Sequence, residues 1–433
     1  MRFDTLAEWL AWQERLHPTE IELGLERVRS VLQRLGHEGL GCPLITVAGT
    51  NGKGSSVAML EAVYHAGGYR VAAYTSPHLL RYNERIRIDG APVSDQALIQ
   101  AFERVDQARG DTSLTYFEFG TLAAIDLFAR AALDVVILEV GLGGRLDAVN
   151  VLDADVALIT PIALDHADWL GHDREAIGRE KAGIMRAGRP AVCADPAPPA
   201  SLAQHAKEVG ATWYCLGRHF QAEDQGRQWR WQGLGRSRNA LPLPALRGAF
   251  QRDNAAAVLM VTELLSARLP LSQAQLRQGL ATVQLPGRFQ VIPGEVPLIL
   301  DVAHNPQAAQ ALAASLEAWA MPGRTYAVCA MMADKDIHAV FQAMAPVVDH
   351  WCLTTVALPR AAAAADLARS LEQAIPQASH ELYADVEAAL KALEPRLVPH
   401  DRVLVFGSFY TVAAALASNY NAGFPRPNTA EVE

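Results

Sequence analysis

The chain has 433 residues, half of them apolar and a fifth charged, which is too long for one ordinary core and fits two or three domains of a soluble globular protein. A formal net charge of −9 argues against a nucleic-acid partner, because phosphate-backbone binding needs a basic face; no apolar run reaches bilayer-spanning length, so no membrane segment is expected. The opening MRFDTLAEWL does not read as a signal peptide. Cys42, Cys193, Cys215, Cys329 and Cys352 stand far apart without metal-finger spacing, so they read as reduced thiols in a cytoplasmic protein.

From Leu44 the pattern is strand, glycine turn, helix, repeated. PLITVAGTNGKGSSVAMLEAVYHAGG predicts a strand over 44–48, a glycine-rich turn, and a helix ending at Gly67 and Gly68. VAAYTSPHL predicts a short strand meeting a Ser-Pro turn. LDVVILEVGLGG and DVALITPIALDH are continuous apolar strands of the kind buried on both faces of a parallel sheet. This alternation implies a doubly wound α/β sheet, in which ligands collect at the carboxyl ends of the strands. Residues 196–244 are the least regular, with a small β excursion expected over 221–232. After Pro286-Gly287-Arg288 the alternation restarts: VPLILDVAHNP, RTYAVCAMMADKD, DHWCLTTVAL and DRVLVFGSF read as strands, QAAQALAASLEAW and TVAAALASNY as helices. The expected organisation is a first domain over 1–290, a second over 291–420, and a flexible tail over 421–433.

GTNGKGSS at 49–56 lies between a predicted strand and helix. Small residues there let backbone N–H groups close on a phosphate, and the helix start adds its positive end. Lys53 would bridge the β- and γ-phosphates of a nucleotide and a following hydroxyl would face Mg²⁺. The spacing departs from the Walker pattern, since Gly54 separates Lys53 from Ser55 and Val47 occupies the first glycine position. The bland alternative is an ordinary glycine turn. Glu139 ends a buried strand, where a carboxylate needs a cation or hydrogen bonds; Mg²⁺ beside a triphosphate would serve, and capping a loop is the alternative.

In ALDHADWLGHDREAIGREKAGIM, a neutral His166 could ligate metal or contact phosphate, although a lone histidine is more often a packed polar residue. By spacing alone Lys181 reads as mid-helix, on a solvated charge face with Glu180. Asn254 in RDNAAAVL stands at a helix start, Arg288 in LPGRFQV at the domain junction, and Asp301 and His304 in LDVAHNP just past the first strand of the second domain. Arg and Asp suit a phosphate and a ribose hydroxyl, but each is weak alone.

Taken in order, GTNGKGS, SPHLLRYNERIRIDG, LTYFEFGTLAA, LEVGLGGRLDAVN, ALDHADWLG, EKAGIM, PGRFQ, DVAHNP, DKDI and GSFYTV resemble the folylpolyglutamate synthase and dihydrofolate synthase family, relatives of the Mur peptidoglycan ligases, and look nearest its bifunctional bacterial members. The resemblance implies a P-loop-containing doubly wound ATPase domain followed by a smaller Rossmann-like α/β domain. It implies that Thr50, Asn51, Gly52, Lys53 and Gly54 wrap the ATP phosphates, with Ser55 near the first metal. Ser76, Glu139 and His166 would hold Mg²⁺, as one or two ions. Lys181 would be the lysine that such ligases carbamylate, against its solvated reading. Lys53, Lys181 and His166 would be the catalytic set, and Asn254, Arg288, Asp301 and His304 would bind nucleotide. Leu23, Gly24, Leu25, Thr115, Tyr116, Phe117, Glu118 and Leu146 would line the pteroate site.

The chain departs from many relatives at Phe250 and Tyr410, where histidine is frequent. The implied enzyme is a monomer that uses ATP and Mg²⁺ to add L-glutamate to dihydropteroate and to tetrahydrofolate through an acyl phosphate. A Mur-type UDP-sugar amino acid ligase is the alternative, and would need a further domain before Leu44. A P-loop binding protein or switch is the non-enzyme alternative, and would need no second substrate domain.

Overall fold

The computed structural model describes residues 2–37 and 39–418; the tail expected over 421–433 lies outside them. The chain divides into two compact units, Met1–Ala245 with Gln251–Gln284, and Leu246–Phe250 with the chain from Leu285 onward.

In the first unit, strands β1 (Leu44–Ala48), β2 (Val71–Tyr74), β3 (Ile86–Ile88), β4 (Ala91–Pro92), β5 (Val135–Glu139), β6 (Val156–Ile159), β7 (Pro190–Cys193) and β8 (Thr212–Cys215) form one sheet in the order β4-β3-β2-β5-β1-β6-β7-β8. From β2 to β8 all neighbours run parallel. β1 and β5 are buried at every residue, which is why they read as unbroken apolar runs. β3 and β4 form an antiparallel hairpin that the strand–helix pattern did not predict. Its turn is Asp89-Gly90, both with positive φ of 54° and 78°, the Asp-Gly pair that a tight hairpin favours. Beside the sheet, Trp9, Phe102 and Phe119 are buried, with Phe102 and Phe119 ring centroids 5.6 Å apart edge to face.

Residues 196–244 are more regular than expected. Helix Ala200–Val209 and edge strand β8 extend the main sheet. The small β excursion grows into a three-stranded antiparallel sheet of β9 (Phe220–Asp224), β10 (Gln228–Gly233) and β11 (Arg236–Pro242). Trp229 and Trp231 stand two residues apart on β10 and so share a face. Both are fully buried, and Trp231 Nε1 donates to Ala256 O at 3.0 Å.

The second unit has a six-stranded sheet of β12 (Gln290–Ile292), β13 (Leu298–Asp301), β14 (Thr325–Cys329), β15 (His350–Leu353), β16 (His380–Leu382) and β17 (Arg402–Phe406), in the order β12-β13-β17-β14-β15-β16. Only β12 runs antiparallel to its neighbour. The two-domain α/β class implied by the motifs is the architecture present. Among the described residues no helix is long and apolar enough to cross a membrane.

Candidate active site

Strand order places a crevice beside β1. The chain leaves β1 through helix Lys53–Ala66 for β2 on one side, and leaves β6 for β7 on the other; ligands bind at such switch points. There the loop after β1 is clipped to the loop after β6. The Thr50 and Asn51 amides donate to Pro161 O at 3.0 and 3.3 Å. Thr50 Oγ1 donates to Ala163 O at 3.1 Å and accepts from the Ala163 amide at 3.1 Å.

Gly49 has φ 145°, and a Cβ there would lie 1.8 Å from Thr160 Oγ1. Gly49→Ala is therefore expected to force the two loops apart and lower stability by about 1–3 kcal/mol, the usual cost of overpacking. Urea unfolding checks this, and an unchanged midpoint would show that the two loops are not locked.

Helix Lys53–Ala66 starts after Gly52, whose φ is 92° and which offers no capping side chain; the open N–H groups of that first turn suit an anion. Lys53 Nζ donates to Gly49 O at 3.0 Å and Thr50 O at 3.2 Å, so the ammonium lies over the loop. Asn254, buried on helix Phe250–Leu264, reaches the same place: a Cβ on Gly52 would come within 2.9 Å of its Oδ1. Asn254 Nδ2 donates to Gln251 Oε1 at 3.1 Å, and Gln251 Nε2 donates to the buried Ser55 Oγ at 3.2 Å. Gln251 was not singled out from sequence; its one signal is that it stands three residues before Asn254 on the same helix face.

Glu139 is the last residue of β5, buried, and in register with Val47 of β1. Ser76 lies half-buried two residues past β2, joined to Pro77 by a cis peptide. His166 is exposed, with φ 52°, just before the short helix Ala167–Leu170, and its Nε2 lies 3.9 Å from Asp165 Oδ2. Among the described residues no three His, Cys, Asp or Glu side chains cluster into a metal cage. A buried carboxylate at a strand end fits Mg²⁺, a hard ion that takes few protein ligands and completes its shell from phosphate and water.

Lys181 is not mid-helix and not solvated. It occupies the last turn of helix Arg174–Ala182 and is 5% exposed. Spacing could not show this, because the cover is tertiary: the glycine loop after β5 lies on the helix. A Cβ on Gly144 would come within 2.9 Å of Lys181 Cα, and the Arg145 amide donates to Glu180 O at 2.8 Å. Glu180 turns instead to Arg145, at 3.0 Å. Burial first, and then the charge of Lys53, push the Lys181 amine down to about 7, against the pull of Asp165 and Asp147. Asp147 went unnoticed in the sequence. Burial raises its carboxyl to about 6, although it accepts from the Leu142 and Val149 amides at 2.8 and 3.0 Å and holds the glycine loop in shape.

The residues implied for a pteroate site fall into two roles. Thr115 and Glu118 form the capping box of helix Tyr116–Arg130. Glu118 accepts from the Thr115 amide at 2.8 Å and from Arg27 Nη2 at 2.9 Å, so its carboxylate ties the helix to the 23–27 segment. Leu23, Gly24 and Leu25 are half-buried there, as is Leu146 beside Asp147. Phe117 presses on the glycine loop, where a Cβ on Gly141 would come within 2.7 Å of its ring. The Tyr116 ring packs edge to face on Tyr82 at 5.8 Å, with the Arg85 guanidinium over both rings.

In the second unit Arg288, Asp301 and His304 come together at the carboxyl end of β13. Asp301 accepts from the Phe289 and Ala303 amides at 2.7 and 2.8 Å; burial raises its carboxyl, and Arg288 is the main opposing influence. The Arg288 guanidinium lies 4.9 Å over the ring of Phe409, just past β17, and His304 Nδ1 lies 2.8 Å from Val302 O. The departing positions, Phe250 and Tyr410, are 38% and 52% exposed.

A phosphate loop and a buried lysine on one α/β unit, followed by a second α/β unit, is the arrangement of a Mur-type ligase. The chain matches the Mur ligase middle domain over residues 47–208 and the Mur ligase glutamate ligase domain over residues 287–409. Within that class it belongs to the dihydrofolate synthase/folylpolyglutamate synthase family and is a carbon–nitrogen ligase. It is 44% identical to the Escherichia coli K12 dihydrofolate synthase/folylpolyglutamate synthase over 94% of each chain. A solved structure of E. coli FolC in complex with DHPP and ADP superposes with a TM-score of 0.91 at 44% identity, covering 95% of this chain and 97% of that one. A bifunctional folylpolyglutamate synthase/dihydrofolate synthase solved with Mn, AMPPNP and L-glutamate bound gives 0.88 at 46% identity, covering 96% and 98%. The UDP-sugar alternative survives only as the shared superfamily.

Proposed function

We propose that the chain joins L-glutamate to the carboxyl group of dihydropteroate, and of tetrahydrofolate, with ATP as the phosphoryl donor. The observation that carries this reading is the pairing of Lys53, held over the phosphate loop, with a buried Lys181 whose amine is pushed down to about 7. The acceptor carboxylate attacks the γ-phosphorus of ATP, ADP leaves, and an acyl phosphate results. The glutamate amine then attacks the acyl carbon and phosphate departs. Loop amides from Thr50 to Gly54 orient the phosphates and Lys53 offsets the charge that grows on the transferring group. Mg²⁺, held by Glu139, Ser55, Ser76 and His166, would supply further neutralisation of phosphate charge. Asn254, Arg288, Asp301 and His304 serve the nucleotide, and Leu23–Leu25, Thr115–Glu118 and Leu146 shape the pterin side.

Lys181 acts as a carbamate in this reading: its neutral amine adds CO₂ and releases a proton, so a cation becomes an anion that suits a second Mg²⁺. The five free thiols fit a cytoplasmic setting. Relatives solved with DHPP, or with L-glutamate and a nucleotide analogue, support the substrate classes. The test is purified protein with ATP, Mg²⁺ and glutamate, given each pterin acceptor in turn, with products read by mass spectrometry. Both acceptors should gain glutamate. Glutamylation of tetrahydrofolate but never of dihydropteroate would refute the dual assignment and leave the ligase class standing.

A further inference from the structure

Two thiols stand side by side where the proposed mechanism makes no use of them. Cys193 ends β7 and Cys215 ends β8, and the two are register partners on neighbouring parallel strands. Such partners point to the same face, and both belong to one buried apolar cluster, at 0% and 2% exposure. Neighbouring strands run about 4.8 Å apart, inside the Cα separation of roughly 4.4–6.8 Å that a disulfide accepts. The contrast within the same chain is instructive: on β14 and β15, Cys352 pairs with Val328 and Cys329 with Leu353, so those two thiols face opposite sides. Cys193 beside it also holds the Cys215 thiol below its usual range, while the Cys193 thiol is raised by the same contact. Two adjacent thiols, one placed to resolve the oxidised form of the other, are the arrangement of an oxidisable pair.

The pair adjoins the clip that seats the phosphate loop. Cys193 Sγ lies 4.0 Å from Asp195 O. The Asp195 carboxylate accepts from the Ile162 amide and from Arg174 Nη2, both at 2.9 Å, and the next amide, Ala163, donates to Thr50 Oγ1. β8 is the last strand of the sheet and pairs on one side only, so a small oxidant reaches the two buried thiols through local opening of that edge.

We propose that Cys193 and Cys215 form a hydroperoxide-sensitive dithiol, and that its oxidation to a disulfide slows ATP turnover by disturbing the β6 loop that seats the phosphate loop. The Cys215 thiolate attacks the peroxide oxygen, giving a sulfenic acid and, after protonation, one water. Cys193 then attacks that sulfur, the S–S bond forms and a second water leaves, so two thiols lose two electrons and the peroxide is reduced.

The full chain is treated with hydrogen peroxide, digested without reductant and mapped by mass spectrometry, with ATP turnover followed in parallel. The mapping does not depend on the proposed function, so its failure is separable from failure of that reading. Expected are a peptide linking Cys193 to Cys215, a severalfold loss of turnover, and recovery with dithiothreitol. Cys215→Ala should keep its turnover under peroxide, and Cys193→Ala gives the same reading should the first variant fold poorly. The proposal falls if no such link forms, if it forms without loss of turnover, or if both variants lose turnover as the parent does.

Discussion

Lys53→Ala is expected to remove ATP turnover from a protein that stays folded. The Lys53 ammonium is only half-buried and donates to two carbonyls of its own loop, Gly49 O and Thr50 O. Losing such bonds costs about 1 kcal/mol of stability, because water replaces them at an open site. The same charge is needed in full when the γ-phosphoryl group moves, and removing one preorganised donor to a developing anion lowers turnover on the order of 10²–10³-fold. The variant has a second consequence. Lys53 is one cause of the depressed Lys181 amine, so its removal lets that amine rise and hold its proton, which opposes carbamate formation. Phosphate release and urea unfolding, measured on one preparation, separate the two effects; near-normal turnover in folded Lys53→Ala protein would sink the assignment.

Lys181 should carry a carbamate in the active protein. Only a neutral amine adds CO₂, and burial with Lys53 nearby brings the amine down to about 7. Its carbamate-competent fraction therefore grows as pH rises through that value and shrinks below it. Glu180, which would favour an ammonium, is occupied by Arg145. Turnover should fall in CO₂-depleted buffer below neutral pH and return on adding bicarbonate. Lys181→Ala should lose most activity, with partial rescue by acetate, which replaces the missing carboxylate. Crystallographic density should extend past Nζ. A bare ammonium paired to Glu180 in a fully active crystal form would defeat the idea.

The parts legible in the sequence are those whose cause is local. β1 and β5 carry apolar residues throughout because both faces are covered, and the glycines after β1 mark a turn that side chains would block. The antiparallel hairpin was hidden inside a motif read as one unit, SPHLLRYNERIRIDG, although its Asp89-Gly90 turn was in view. Strand β8 was lost among the Trp and Gly residues of an apparently irregular stretch, since an edge strand is only half covered and lacks the apolar run. Lys181 could not be read from its helix at all, because the glycine loop that lies against that turn, at Gly144, is 37 positions earlier. Asp147 is a similar case, defined by the backbone turn it holds, while Gln251 offered only its three-residue spacing from Asn254 and is defined by its reach to Ser55. For Glu118 the local signal was ambiguous, as one carboxylate serves both a capping box and Arg27.

The lock between the loops after β1 and β6 sets a limit on grafting. Thr50 exchanges hydrogen bonds with Ala163, Gly49 leaves no room beside Thr160, and Gln251 reaches Ser55 from a helix 196 residues downstream in sequence. A designer who moved residues 49–56 alone into another strand–turn–helix scaffold would transplant a ribbon without its mould. The smallest transferable piece is discontinuous: 49–56 with 160–163 and 251–254, three segments that must be rebuilt at once.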